Sequence, residues 1–183
     1  MNKNFVFSLA LLGSLVSPSI FAVDIQINIS GKINIPPCRI NTNSTIDIPF
    51  GKIANFKIDG RNYAQQKTVS VQCDYYESTP YIQVLGVKLA GAPVDNVLRA
   101  NAGANNDKLG IALYQGDSVN DSYPLKIGTG EQGKFGYRLT RGLSGRGPNH
   151  KFTFTSVPYA LGNNRDLVSN AFTASATMRI YYL

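Results

Sequence analysis

Val23-Asp24-Ile25-Gln26-Ile27-Asn28-Ile29-Ser30-Gly31-Lys32-Ile33-Asn34-Ile35 is the stretch on which the reading of the fold turns. Apolar residues occupy every second position, with Gly31 in one apolar slot, and most of the apolar side chains are β-branched. Period-two alternation of this kind predicts a long β-strand. Pro36-Pro37 ends it, because neither proline can donate a ladder hydrogen bond. The residues ahead of the stretch read as a secretory signal: Lys3 supplies a positive start, Phe5 to Val16 an apolar core, and Ala22 a plausible cleavage position. The apolar run falls short of the ~18 residues that a membrane anchor needs. Residues 1–22 are therefore expected to be removed, leaving 23–35 as an N-terminal extension and 36–183 as one globular domain.

The remaining composition narrows the class. Cys38 and Cys73 are the only cysteines. In an exported chain they are expected to form a disulfide rather than a redox pair or zinc site. Closing that loop contributes roughly 4 kcal/mol on the chain-entropy model. The net charge of +7 falls to +6 when Lys3 is lost, and the basic residues are dispersed apart from Arg138, Arg141, Arg146 and Lys151. With neither a basic helix nor an aromatic platform motif, no nucleic-acid partner is expected.

Beyond the prolines, strand signatures recur. Thr45 to Gly51 reads as a short edge strand containing Pro49, and Lys67 to Cys73 places Val69, Val71 and Cys73 on one face. Tyr81 to Val87, Leu109 to Gln115, Phe135 to Leu139 and Phe152 to Val157 follow, and Gly86 marks a bend. Arg141 to Asn149 reads as a glycine-rich turn. The final stretch, Ala171 to Leu183, sets Phe172, Ala174, Ala176, Met178, Ile180 and Tyr182 on one face. No segment carries a helical period. Short strands separated by Gly, Pro and Asn clusters predict an all-β sandwich.

Several signals for chemistry fail on context. Gly128-Thr129-Gly130-Glu131-Gln132-Gly133 spells GxGxxG, but a strand-like stretch follows it where a dinucleotide site needs a helix. His150 is the only histidine, Asp47, Asp59 and Asp74 are scattered, and no serine sits in a nucleophile elbow. No catalytic residue, metal or cofactor is expected. What stands out is a surplus strand at the front and an apolar strand at the end with nothing following it to pair with. An unpaired edge over a hydrophobic groove is costly in water. Pro36-Pro37 argues against the extension folding back into its own groove, so strand addition between molecules satisfies both ends.

At these residues the chain resembles the pilins assembled by the chaperone–usher route. The resemblance lies in Ile29-Ser30-Gly31-Lys32-Ile33, Pro36-Pro37-Cys38, the second cysteine in VSVQC, and the penultimate Tyr182. DIQINISGKINIPPCRIN, GIALYQG and FTFTSVP are similar, more narrowly, to the minor tip adaptors of P-type pili. The resemblance implies an incomplete immunoglobulin-like β-sandwich lacking its final strand. A periplasmic chaperone would lend a strand to the groove, anchoring on the Leu183 carboxylate. At the outer-membrane usher the next subunit's extension would replace it. This chain's own extension (Ile25, Ile27, Ile29, Gly31, Ile33 and Ile35) would enter the pilin domain of an adhesin, and its groove would take the following tip pilin. Gly31 would fit where a Cβ would clash, and burying Ile29, Ile33 and Ile35 contributes about 5 to 9 kcal/mol gross, before ordering costs. Phe172, Ala174, Ala176, Met178, Ile180 and Tyr182 would line the groove, although an ordinary buried strand face gives the same pattern. Asn170 departs from the family, which often has glycine there. The other reading is a secreted β-sandwich adhesin or lectin that binds a host ligand directly.

Overall fold

The computed structural model describes residues 26–131 and 135–183. Residues 1–22, Val23 and Ile25 lie outside the described residues, as do Gln132 and Gly133 of the GxGxxG stretch. Nine strands follow one another: β1 Arg39–Ile40, β2 Gln65–Gln72, β3 Pro80–Leu85, β4 Val97–Arg99, β5 Leu109–Gln115, β6 Tyr137–Arg138, β7 Leu143–Arg146, β8 Asn149–Ala160 and β9 Thr177–Tyr182. Between them lie short 3-10 turns, and no α-helix occurs among the described residues. The larger sheet has the order β1-β2-β8-β5-β4, with β7 also paired to β8, and the smaller has the order β6-β3-β9. Among the described residues every strand-to-strand ladder is antiparallel, and one isolated bridge, Gly130 to Gly136, is parallel.

The main core is drawn from both sheets, as a sandwich requires. Val69 and Val71 of β2, Ile111 and Leu113 of β5, and Phe152 and Phe154 of β8 meet Ile82 and Val84 of β3 and Ile180 and Tyr182 of β9. Leu125 and Ile127, which lie outside any strand, are among the most deeply buried side chains. The other face of the larger sheet is covered as well: Ala112, Tyr114 and Val157 pack with Leu89 and Val97. This explains why β5 is buried along its whole length.

The elements differ from the expectations in instructive places. β8 continues through Pro158 to Ala160 rather than ending before the proline. Pro158 O accepts from Gly60 N–H, so that edge of the residue faces away from β5, and the ladder with β2 has already stopped at Ser156. A missing N–H is therefore harmless there. The stretch 141–149 is not all turn: β7 pairs with β8 around Gly147-Pro148, and Gly147 supplies the positive φ of 62° that a two-residue hairpin turn needs. Thr45 to Gly51 carries no ladder, and of Ala171 to Leu183 only Thr177–Tyr182 is ladder-paired along β3. These last two departures locate the site.

Candidate functional site

Cys38 and Cys73 form a disulfide that joins β1 to the end of β2. Immediately after β1, Asn41, Thr42 and Asn43 all adopt left-handed backbone, with φ of 48°, 51° and 63°. Asparagine tolerates that region and threonine does so at a cost. The effect is to peel the chain away from β2. Residues 44–54 then follow β9 in the opposite direction. At one end Cys38 N–H donates to Ile180 O at 2.7 Å; at the other the rings of Phe50 and Phe172 lie 6.2 Å apart.

Both segments between those ends are built like strands and paired like neither. Ile46, Ile48 and Phe50 are half-buried against the main core while Thr45, Asp47 and Pro49 face outward. Across from them Phe172 and Met178 are half-buried, Ile180 and Tyr182 buried, and Ala174 and Ala176 exposed. The backbone groups of Ala174, Ala176, Ile46 and Ile48 have no hydrogen-bond partner among the described residues. Ile180 O points away from β3, so the even-numbered residues of this stretch present their N–H and C=O groups to the open edge. An apolar face beside an unpaired edge is a receptor for an added β-segment.

The cleft closes at both ends. Beside Phe172 it deepens into a cavity of about 270 Å³ lined by Ile53, Ile58, Leu109, Leu167 and Val168. Asn170, which stands where the resembling family often has glycine, donates from its side chain to Ala102 O at 3.1 Å. A Cβ on Gly103 would lie 2.5 Å from the Asn170 amide, so glycine at 103 makes room for that amide. At the far end, Leu183 exchanges two backbone hydrogen bonds with Thr79, and its O also accepts from the Ser78 hydroxyl. Tyr182 stacks near His150, ring centroids 5.7 Å apart, and its hydroxyl lies 3.4 Å from His150 Nε2. Burial raises the Tyr182 hydroxyl above the ordinary tyrosine range. The single histidine thus packs on the end of β9.

The extension is described from Gln26. Ile27, Ile29 and Ile33 are 79%, 92% and 99% exposed, and no strand ladder includes them. The strand expected from their alternation is absent because a ladder is a two-sided object, and alternation supplies only one side. No atom lies within 4 Å of where a Cβ on Gly31 would be, and its φ is not positive. Among the described residues nothing demands glycine at that position.

The profile of the fimbrial protein family matches residues 27–183. This chain belongs to the fimbrial protein family. The pilin is 37% identical over 175 residues to the minor fimbrial protein PrsF of Escherichia coli, covering 95% of this chain and 98% of that one. It is equally similar, 37% over 175 residues with the same coverage, to the fimbrial adapter PapF of Escherichia coli. Among solved structures it resembles the P pilus adaptor subunit PapF with a TM-score of 0.53 and 31% identity, covering 82% of this chain and 98% of that one. It also resembles the P pilus rod subunit PapA with a TM-score of 0.52, over 86% of this chain and 100% of that one. At 16% identity that second likeness shows the fold alone. The pilin is an all-β, incomplete immunoglobulin-like sandwich.

Proposed function

We propose that this pilin is the minor tip adaptor of a chaperone–usher fimbria, a structural and non-catalytic subunit that joins an adhesin to the tip fibre by donor-strand exchange. The observation that carries the reading is one chain with both halves of a strand-addition joint: an exposed alternating extension and an unpaired apolar cleft. Relatives that are minor and adaptor subunits agree with it. Its partners are a periplasmic chaperone, the outer-membrane usher, the pilin domain of the adhesin and the following tip pilin. It reaches the cell surface as part of the fimbrium. The adhesin or lectin reading is set aside, since no observation favours it over these relatives.

In this reading residues 1–22 are the export signal, 23–35 the donated segment and 36–183 the receiving domain. Ile25, Ile27, Ile29, Ile33 and Ile35 supply the buried face of the donated strand. Gly31 falls where the receiving groove leaves no room for a side chain. Phe172, Ala174, Ala176, Met178, Ile180 and Tyr182 form the receiving face, which the chaperone covers first, holding the Leu183 end.

The test separates giving from receiving. In Gly31→Leu the new Cβ has no atom of the described residues within 4 Å, so folding and chaperone binding are expected to match the parent. Incorporation beneath an adhesin pilin domain is expected to fall by at least about tenfold, from overpacking of roughly 1–3 kcal/mol in a filled groove. Co-purification with chaperone and gel-shift of the adhesin–adaptor complex report the two steps. Parental incorporation by this variant defeats the proposal.

A further inference from the structure

Residues 167–170 form one wall of the cavity at the end of the cleft. They follow the 3-10 turn at Asn164–Asp166 and belong to no ladder. Among the described residues, none of their backbone groups bonds to the backbone of a distant segment. Asparagine side chains make the links instead. Asn105 Nδ2 donates to Val168 O at 2.8 Å and its Oδ1 accepts from Val168 N–H at 2.9 Å. Asn55 donates to Leu167 O at 3.0 Å, and Asn170 reaches across to Ala102 O at 3.1 Å. Asn105 is itself 3% exposed, on the 3-10 turn at Gly103–Asn105. Its amide therefore pairs with Val168 as a strand neighbour would, from a buried position.

That pairing sets Val168 apart from its neighbours. Leu167 is buried with Ile58, Ala100, Ala102 and Leu109, whereas Val168 lines the cavity yet is 59% exposed. A valine at the rim of a cavity lined by Ile53, Ile58, Leu109 and Phe172 gains by turning into it. The move takes apolar area out of water and fills a void. The two hydrogen bonds to Asn105 oppose it, because breaking them strands a buried amide without partners. The cavity is also continuous with the cleft: Ile53 and Ala54 come from one wall, and Phe172 comes from the other. A Val168 side chain turned inward would occupy the end of the path that an added segment fills.

We infer that Asn105 is a positioning residue for strand uptake: by fixing the backbone of Val168 it keeps that side chain from plugging the cavity, which stays open to an apolar side chain of the incoming segment. The inference rests on the donor-strand reading and adds a residue that sets how fast the joint forms. The acceptor in the test is the chaperone-bound subunit. The probe is a synthetic peptide of the following tip pilin's extension, and gel-shift follows its uptake with time. Asn105→Ala is expected to slow uptake about tenfold, since only molecules with an open cavity take the segment. Val168→Ser alone is expected to stay within about twofold of the parent. Asn105→Ala combined with Val168→Ser is expected to return to that range, because serine gains little from entering the cavity. Asn55→Ala removes one bond to the same wall from an exposed residue. It should slow uptake less, with Val168→Ser again cancelling the effect, and it carries the test if Asn105→Ala yields no chaperone complex. Parental uptake by Asn105→Ala overturns the inference. A slowing that persists alongside Val168→Ser overturns it too, because the asparagine then serves the fold alone, as does slow uptake by Val168→Ser itself. A parent that takes up no extension defeats the donor-strand reading, and the inference falls with it.

Discussion

Asp59 sits in a turn ahead of Gly60, where its carboxylate accepts from the N–H groups of Arg61 and Asn62 and from the Asn62 amide at 2.8 to 2.9 Å. Those backbone hydrogen bonds, Asn62 first, hold its pKa below the ordinary 3.8. A carboxylate with a depressed folded pKa adds stability that is present above the unfolded pKa and is lost as pH falls through the folded one. Asp59→Asn is therefore expected to lower stability at neutral pH and to flatten the dependence on pH below about 4. Denaturant midpoints of chaperone-free, self-complemented protein at pH 7 and pH 3 measure it, and parallel curves for variant and parent contradict it. Gly31 stands at the opposite extreme, since among the described residues nothing lies within 4 Å of where its Cβ would be. It stands out in the sequence only because it interrupts a row of isoleucines.

Among the elements, β9 and the segment at 44–54 show what alternation does and does not specify. Both carry the inward-outward rhythm of strands, and Ile180 and Tyr182 are buried as that rhythm requires. Yet 171–176 lies beyond β9, and Thr45 to Gly51 has no ladder. Alternation reports which face is apolar, whereas a ladder requires a neighbour at hydrogen-bonding distance. The neighbour of Thr45 to Gly51 was withdrawn by the left-handed turn at Asn41–Asn43, a conformation that composition does not announce. Ala176→Arg provides the element-level prediction. Ala176 lies 3.2 Å from where a Cβ on Gly86 would be and is exposed on its other side, so a long side chain there projects over the open edge. Uptake of the following tip pilin's extension and chaperone binding are both expected to fall by roughly tenfold or more, while donation by the same chain's extension is retained. Unchanged uptake would remove Ala176 from the receiving face.

At the scale of the whole molecule, the Cys38–Cys73 disulfide connects the root of the extension, the larger sheet through β1 and β2, and the open edge through Cys38 N–H and Ile180 O. Replacing both cysteines by serine in a self-complemented chain is expected to cost about 4 kcal/mol. The loss would be read as a fall in denaturant midpoint with a steeper slope, because the unbridged chain unfolds to a more expanded state, and reduction of the parent should reproduce it. A midpoint that does not move would mean the bridge is dispensable once the groove is filled. The sequence by itself determined the all-β class, the disulfide partners and the apolar face of the last strand. The strand faces follow from local spacing, which fixes the side of a strand on which a residue lies, and the disulfide follows from there being two cysteines to pair. Only the tertiary structure decided where the open edge runs, how Asn41–Asn43 draws the chain off β2 to leave it open, and that Asn105 holds Val168 beside its cavity. Those depend on which distant segments meet, and a one-dimensional pattern carries no term for a partner more than a hundred residues away, as Asn55 and Leu167 are.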